Sequence, residues 1–84
     1  MLPDSATIRD AARVAASQLI GRPIKDGQPL VTSGLIDSLS VLKLIGLLER
    51  KLRITLPPET LQPEDFNDIN LIVETVERIA RSIP

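Results

Sequence analysis

No cysteine, histidine, tryptophan or tyrosine occurs in the 84 residues, and Phe66 is the single aromatic side chain. Without cysteine there is no disulfide, no thiolate metal site and no intrinsic thiol nucleophile. Without histidine the usual general base and the commonest metal ligand are missing as well. A self-contained enzyme would have to work with carboxylates or lysines alone, so neither catalytic residues nor a metal site are expected. The formal charge is −1, with no basic block and no stacking aromatics, which leaves nucleic-acid binding without support. No apolar run approaches the length of a membrane span, and the N-terminus lacks the pattern of a signal peptide. These absences lead to the expectation of a soluble, cytoplasmic domain that does not bind membranes.

What the chain does have is aliphatic. Leu, Ile, Val and Ala supply nearly all of the apolar content, which suits helix-on-helix packing better than an aromatic, Thr-rich sandwich. Residues 1–84 are too few for two independent cores and are read as one domain. Its stability is expected near the lower end of roughly 5–15 kcal/mol.

Helical spacing organises the chain. Ile8, Ala12, Ala15 and Leu19 form one stripe after a cap at Asp4 or Ser5, and Gly21 and Pro23 end it. Residues 21–36 hold three glycines and two prolines and read as a long ordered loop, pinned by Leu30, Val31, Leu35 and Ile36. A second helix is predicted over Leu39–Leu52 with Val41, Leu44, Ile45, Leu48 and Leu52 on its core face. Pro57-Pro58 forbids its continuation. Pro63–Phe66 reads as a single helical turn, with Leu61 and Phe66 as anchors. Asp68 can cap a last helix striped by Ile69, Ile72, Val73, Val76, Ile79 and Ala80. The expected fold is all-α: three main helices, one short helix before the last, and a long loop between the first two. A helix-turn-helix DNA binder would need a tight turn and a basic recognition helix, and the long Gly/Pro loop argues against it.

The stretch GLIDSLSVLKLIGLLERKL, residues 34–52, raises the functional question. Asp37 or Ser38 ahead of an apolar run is an ordinary N-cap signature, worth about 1 kcal/mol to a helix. A hydrolytic role for Ser38 would need a base and an oxyanion hole, and GLIDS is not the GxSxG elbow. Leu39 and Leu42 lie away from the core face, flanked by Lys43, Gly46 and Glu49. Either the loop covers them or they form a docking surface.

The order Asp37-Ser38-Leu39, Glu49, the extended Ile54–Pro57 exit and the Pro63–Phe66 turn before a final helix resembles the acyl carrier protein family. The resemblance covers residues 30–80 well. It implies a four-helix carrier bundle in which Ser38 Oγ takes a 4′-phosphopantetheine arm from coenzyme A, through a phosphopantetheinyl transferase and a magnesium ion. The arm ends in a thiol, so a chain without cysteine could still carry thioesters. Asp37 matches the acid that helps engage the transferase, with capping as its structural alternative. Leu39 matches the apolar residue gripped by partner enzymes, and Leu42 and Gly46 share its strip.

The chain departs from the family's fatty-acid carriers in charge. Those have an acidic second helix that docks on basic partner patches, whereas Asp37–Arg53 sets Lys43, Arg50, Lys51 and Arg53 against Asp37 and Glu49. Lys43 joins Leu39, Leu42 and Gly46 as an expected partner-binding residue, since charge complementarity selects partners. The expectation is a monomeric carrier of acyl or aminoacyl thioesters in a specialised biosynthetic pathway. Its partners would be the transferase, an adenylate-forming ligase, and acyltransferase or synthase enzymes. The alternative is an unmodified helical interaction domain that binds a partner through Leu39 and Leu42.

Overall fold

The computed structural model describes residues 3–82, whose regular elements are helices, with no strand among the described residues. Helix α1 spans Ser5–Ile20, α2 spans Ser38–Leu52 and α3 spans Ile69–Ser82. Asp4 caps α1 by accepting from the Thr7 N–H at 2.8 Å, so of the two cap candidates Asp4 serves. Gly21 ends α1 in the left-handed region at φ 88°, where its N–H reaches Ser17 O at 2.7 Å. A residue without Cβ takes that conformation at no steric cost.

Helix α1 packs against both α2 and α3. Ala12, Ala15 and Ala16 are buried in that layer, where their small side chains let backbones come close. Val41, Leu44, Ile45, Leu48 and Leu52 of α2 are buried, as are all six stripe residues of α3. Phe66 is fully buried and fastens the Pro63–Phe66 turn onto α3 and α2. Leu61, expected as a second anchor, is only half-buried.

Two local expectations are corrected. Helix α2 starts at Ser38, one residue earlier than read, because the cap is Asp37. Between α2 and α3 there are two short 3-10 turns, Pro58–Thr60 and Pro63–Phe66, where one was expected. Pro58 does stop an α-helix from passing through it. Its fixed φ and missing N–H equally suit the first position of a new turn.

The long loop is as ordered as its apolar content predicts. Leu30 and Ile36 are buried with Ile24, and Val31 and Leu35 pack half-buried against the core. Two polar clamps hold it. Asn67, just ahead of α3, accepts the Leu30 N–H on its backbone carbonyl at 2.6 Å. Its side-chain Oδ1 accepts the Val31 and Thr32 N–H groups, each at 2.9 Å. Asp26 accepts from Arg13 at 3.0 Å and from Arg9 at 2.9 Å, and Arg9 also donates to Asn70 on α3 at 2.7 Å. The loop is thereby tied to the first and last helices before it delivers the chain to α2.

Candidate functional site

The loop ends by placing Asp37 and Ser38 at the head of α2. Asp37 has extended backbone angles, and its carboxylate accepts the Ser40 N–H at 2.8 Å. Its own carbonyl accepts the Val41 N–H at 2.9 Å. The Ser40 N–H, with smaller help from other backbone N–H groups there, holds the Asp37 carboxyl below its ordinary pKa. Capping is therefore done by Asp37. Ser38, the first helical residue, is exposed and its hydroxyl is not the cap.

Leu39 is 64% and Leu42 59% exposed. The loop does not cover them, which removes one of the two readings of this strip. Lys43 is exposed beside them and Gly46 is half-buried one turn further on. Among the described residues the other large apolar side chain with comparable exposure is Val14, on α1. The structure thus brings Asp37, Ser38, Leu39, Leu42, Lys43 and Gly46 onto the first turns of one helix, as their sequence proximity requires.

A groove of about 210 Å³ opens beside Ser38, lined by Val41, Leu42, Ile45, Leu61 and Phe66, with Gln62 at its edge. Its far wall comes from the two 3-10 turns. Sequence reasoning did not find this groove, because the wall residues lie some twenty positions away and their turn signal does not say which part of α2 they face. It also missed Asn67 and Asp26, whose partners lie on distant segments. Glu49, a family landmark in the sequence, has a structural job: its carboxylate accepts the Leu56 N–H at 2.9 Å and directs the chain out of α2.

The residues present suit a phosphopantetheine group. An exposed hydroxyl at the N-terminus of a 15-residue helix stands where free N–H groups and the helix dipole favour an anionic phosphodiester. The neighbouring groove is mostly apolar in its lining.

A small helical bundle that displays a serine at a helix head, with apolar side chains exposed next to it, has the layout of a carrier domain. The family described as phosphopantetheine attachment site matches residues 7–78, and the chain belongs to it. Members carry a covalently attached 4′-phosphopantetheine and are carriers rather than catalysts. No curated protein and no solved structure matches the chain. Among the described residues, no helix is long and apolar enough to cross a membrane.

Proposed function

We propose that residues 1–84 act as one carrier domain whose attachment point is Ser38. The arm would hold acyl or aminoacyl groups as thioesters for a specialised biosynthetic pathway in the cytoplasm. The observation that carries this reading is the division of labour at the head of α2. Asp37 caps the helix, so the exposed Ser38 hydroxyl is left for chemistry supplied from outside. In the loading step Ser38 Oγ would attack the β-phosphorus of coenzyme A, whose pyrophosphate P–O bond breaks and releases adenosine 3′,5′-bisphosphate. The hydroxyl proton would pass to a base of the transferase, since this chain has no histidine to take it.

The arm's terminal thiol supplies the thioester that the chain's own side chains cannot. Asp37 has a second task in this reading, as part of the surface the transferase engages. Leu39, Leu42, Lys43 and Gly46 form the surface that the transferase, an adenylate-forming ligase and acyl-accepting enzymes visit in turn. A monomer suits a carrier that must expose one face to several enzymes.

Intact mass spectrometry after incubation with coenzyme A, magnesium and a broad-specificity phosphopantetheinyl transferase tests the assignment. One added phosphopantetheine is expected on the wild type and none on Ser38→Ala. An unmodified wild type, beside a control carrier that is modified, would replace this reading with that of an unmodified interaction domain.

A further inference from the structure

The exposed side of α2 changes character along its length. At about 100° per residue, Leu39, Lys43, Gly46 and Arg50 follow at spacings of four, three and four and share one face. That face lies opposite the buried Val41, Leu44, Ile45, Leu48 and Leu52. Its end nearest Ser38 is apolar, with Leu42 beside Leu39. Its remainder is cationic, and Lys43 and Arg50 are both exposed.

Among the described residues, no carboxylate pairs with the cations of this stripe. The ion pairs among the described residues join Arg9, Arg13 and Arg81 to Asp26, Asp10 and Glu77, and neither Lys43 nor Arg50 takes part. The two acids of the segment bond backbone N–H groups and not these cations. Asp37 holds the Ser40 N–H, and Glu49 holds the Leu56 N–H.

Gly46 adds a second, independent observation. Glycine inside a helix is less stable than alanine, and packing often explains its retention. Here a Cβ at Gly46 would meet nothing within 4 Å, so no intramolecular neighbour requires its absence. The position leaves a shallow notch between Lys43 and Arg50, whose Cα atoms lie about 10 Å apart along the helix axis.

We infer that this stripe docks an acidic face of the enzymes that load or unload the arm. The partner presents an apolar recess for Leu39 and Leu42. It also presents carboxylates that straddle Gly46 and meet Lys43 and Arg50. A basic rim, which would suit an acidic helix, is repelled by the same two cations. The inference rests on the reading of Ser38 as the attachment point, because only then does an enzyme have to approach the head of α2.

The test titrates isotope-labelled protein, first without the arm and then loaded, with two purified adenylate-forming ligases that act on carriers. One has an acidic rim around its arm tunnel and the other a basic rim. The acidic-rim enzyme is expected to bind at least about tenfold tighter, with weakening as salt is added. Shifts should be largest at Leu39, Lys43, Gly46 and Arg50. Lys43→Glu/Arg50→Glu, confirmed folded by circular dichroism, should reverse the preference. Gly46→Ala should raise Tm yet weaken binding severalfold.

Equal or tighter binding to the basic rim, or a preference untouched by the charge reversal, overturns the inference. Unchanged affinity in Gly46→Ala removes the notch from it. Failure of the attachment reading shows separately, as absence of the phosphopantetheine mass on Ser38 while docking of the unloaded protein persists.

Discussion

Asp37 and Ser38 divide two tasks that either residue could have combined. Because the carboxylate takes the Ser40 N–H, Ser38→Ala should leave the helix intact while abolishing modification, read as an unchanged far-ultraviolet spectrum with no added mass. Asp37→Ala should act in the opposite way on stability. It removes the cap, so Tm should fall by a few degrees while the Ser38 hydroxyl stays present. Slower modification of Asp37→Ala at a temperature where it is fully folded would support its task toward the transferase. An unchanged rate would confine it to capping. Asn67 is another residue whose side chain serves several partners. Asn67→Ala leaves the Val31 and Thr32 N–H groups without their acceptor and should cost about 1–3 kcal/mol. Denaturant titration would read that loss, and faster amide exchange at residues 31 and 32 would locate it.

At the level of the element, α2 is built for display as much as for stability. Its C-terminus closes on Arg53 in the left-handed region at φ 55°, with the Arg53 N–H on Glu49 O. Glycine is the usual residue there, because a Cβ in that conformation crowds the backbone. Arg53→Gly should therefore stabilise the protein by up to about 1 kcal/mol, measured as a rise in the denaturation midpoint with the slope unchanged. Gly46→Ala should add a similar amount, about 1 kcal/mol, by relieving the entropic cost of glycine in a helix interior. A helix that forgoes stability at two positions along its length, while its buried face is packed with large aliphatics, has its exposed side governed by something other than folding. The loop before it belongs to the same logic. Its two clamps, through Asn67 and Asp26, determine where the head of α2 stands relative to α1 and α3.

For the whole molecule, charge predicts the dependence on pH. Three carboxyls are held below their ordinary pKa. The Thr7 N–H and hydroxyl lower Asp4, the Ser40 N–H lowers Asp37, and at Asp26 partial burial is outweighed by Arg13 and Arg9. A carboxyl whose folded pKa lies below its unfolded value contributes stability that is complete above the unfolded value, about 3.9 for Asp. That stability is lost as pH falls through the lowered folded values. Tm should thus be nearly flat from about pH 5.5 to 8, where no histidine titrates, and drop below about pH 4. A Tm that rose or fell steeply near neutrality would contradict this assignment.

The sequence alone determined the three main helices and most of their core faces, and placed the head of α2 to within one residue. Each is written locally, in the spacing of Ile8, Ala12 and Ala15, of Val41, Leu44 and Leu48, and in the Asp37-Ser38 step. Periodicity requires only neighbours along the chain, and so it can be read without coordinates. It also placed Leu39 off the core face, but could not say whether the loop returned to cover it. Only the tertiary structure decided that Leu39 and Leu42 remain exposed and that Asp37, rather than Ser38, is the cap. It likewise brought Asn67 to the loop and the two 3-10 turns to the groove beside Ser38. Those contacts join residues tens of positions apart, and long-range proximity leaves no periodic trace in a single chain.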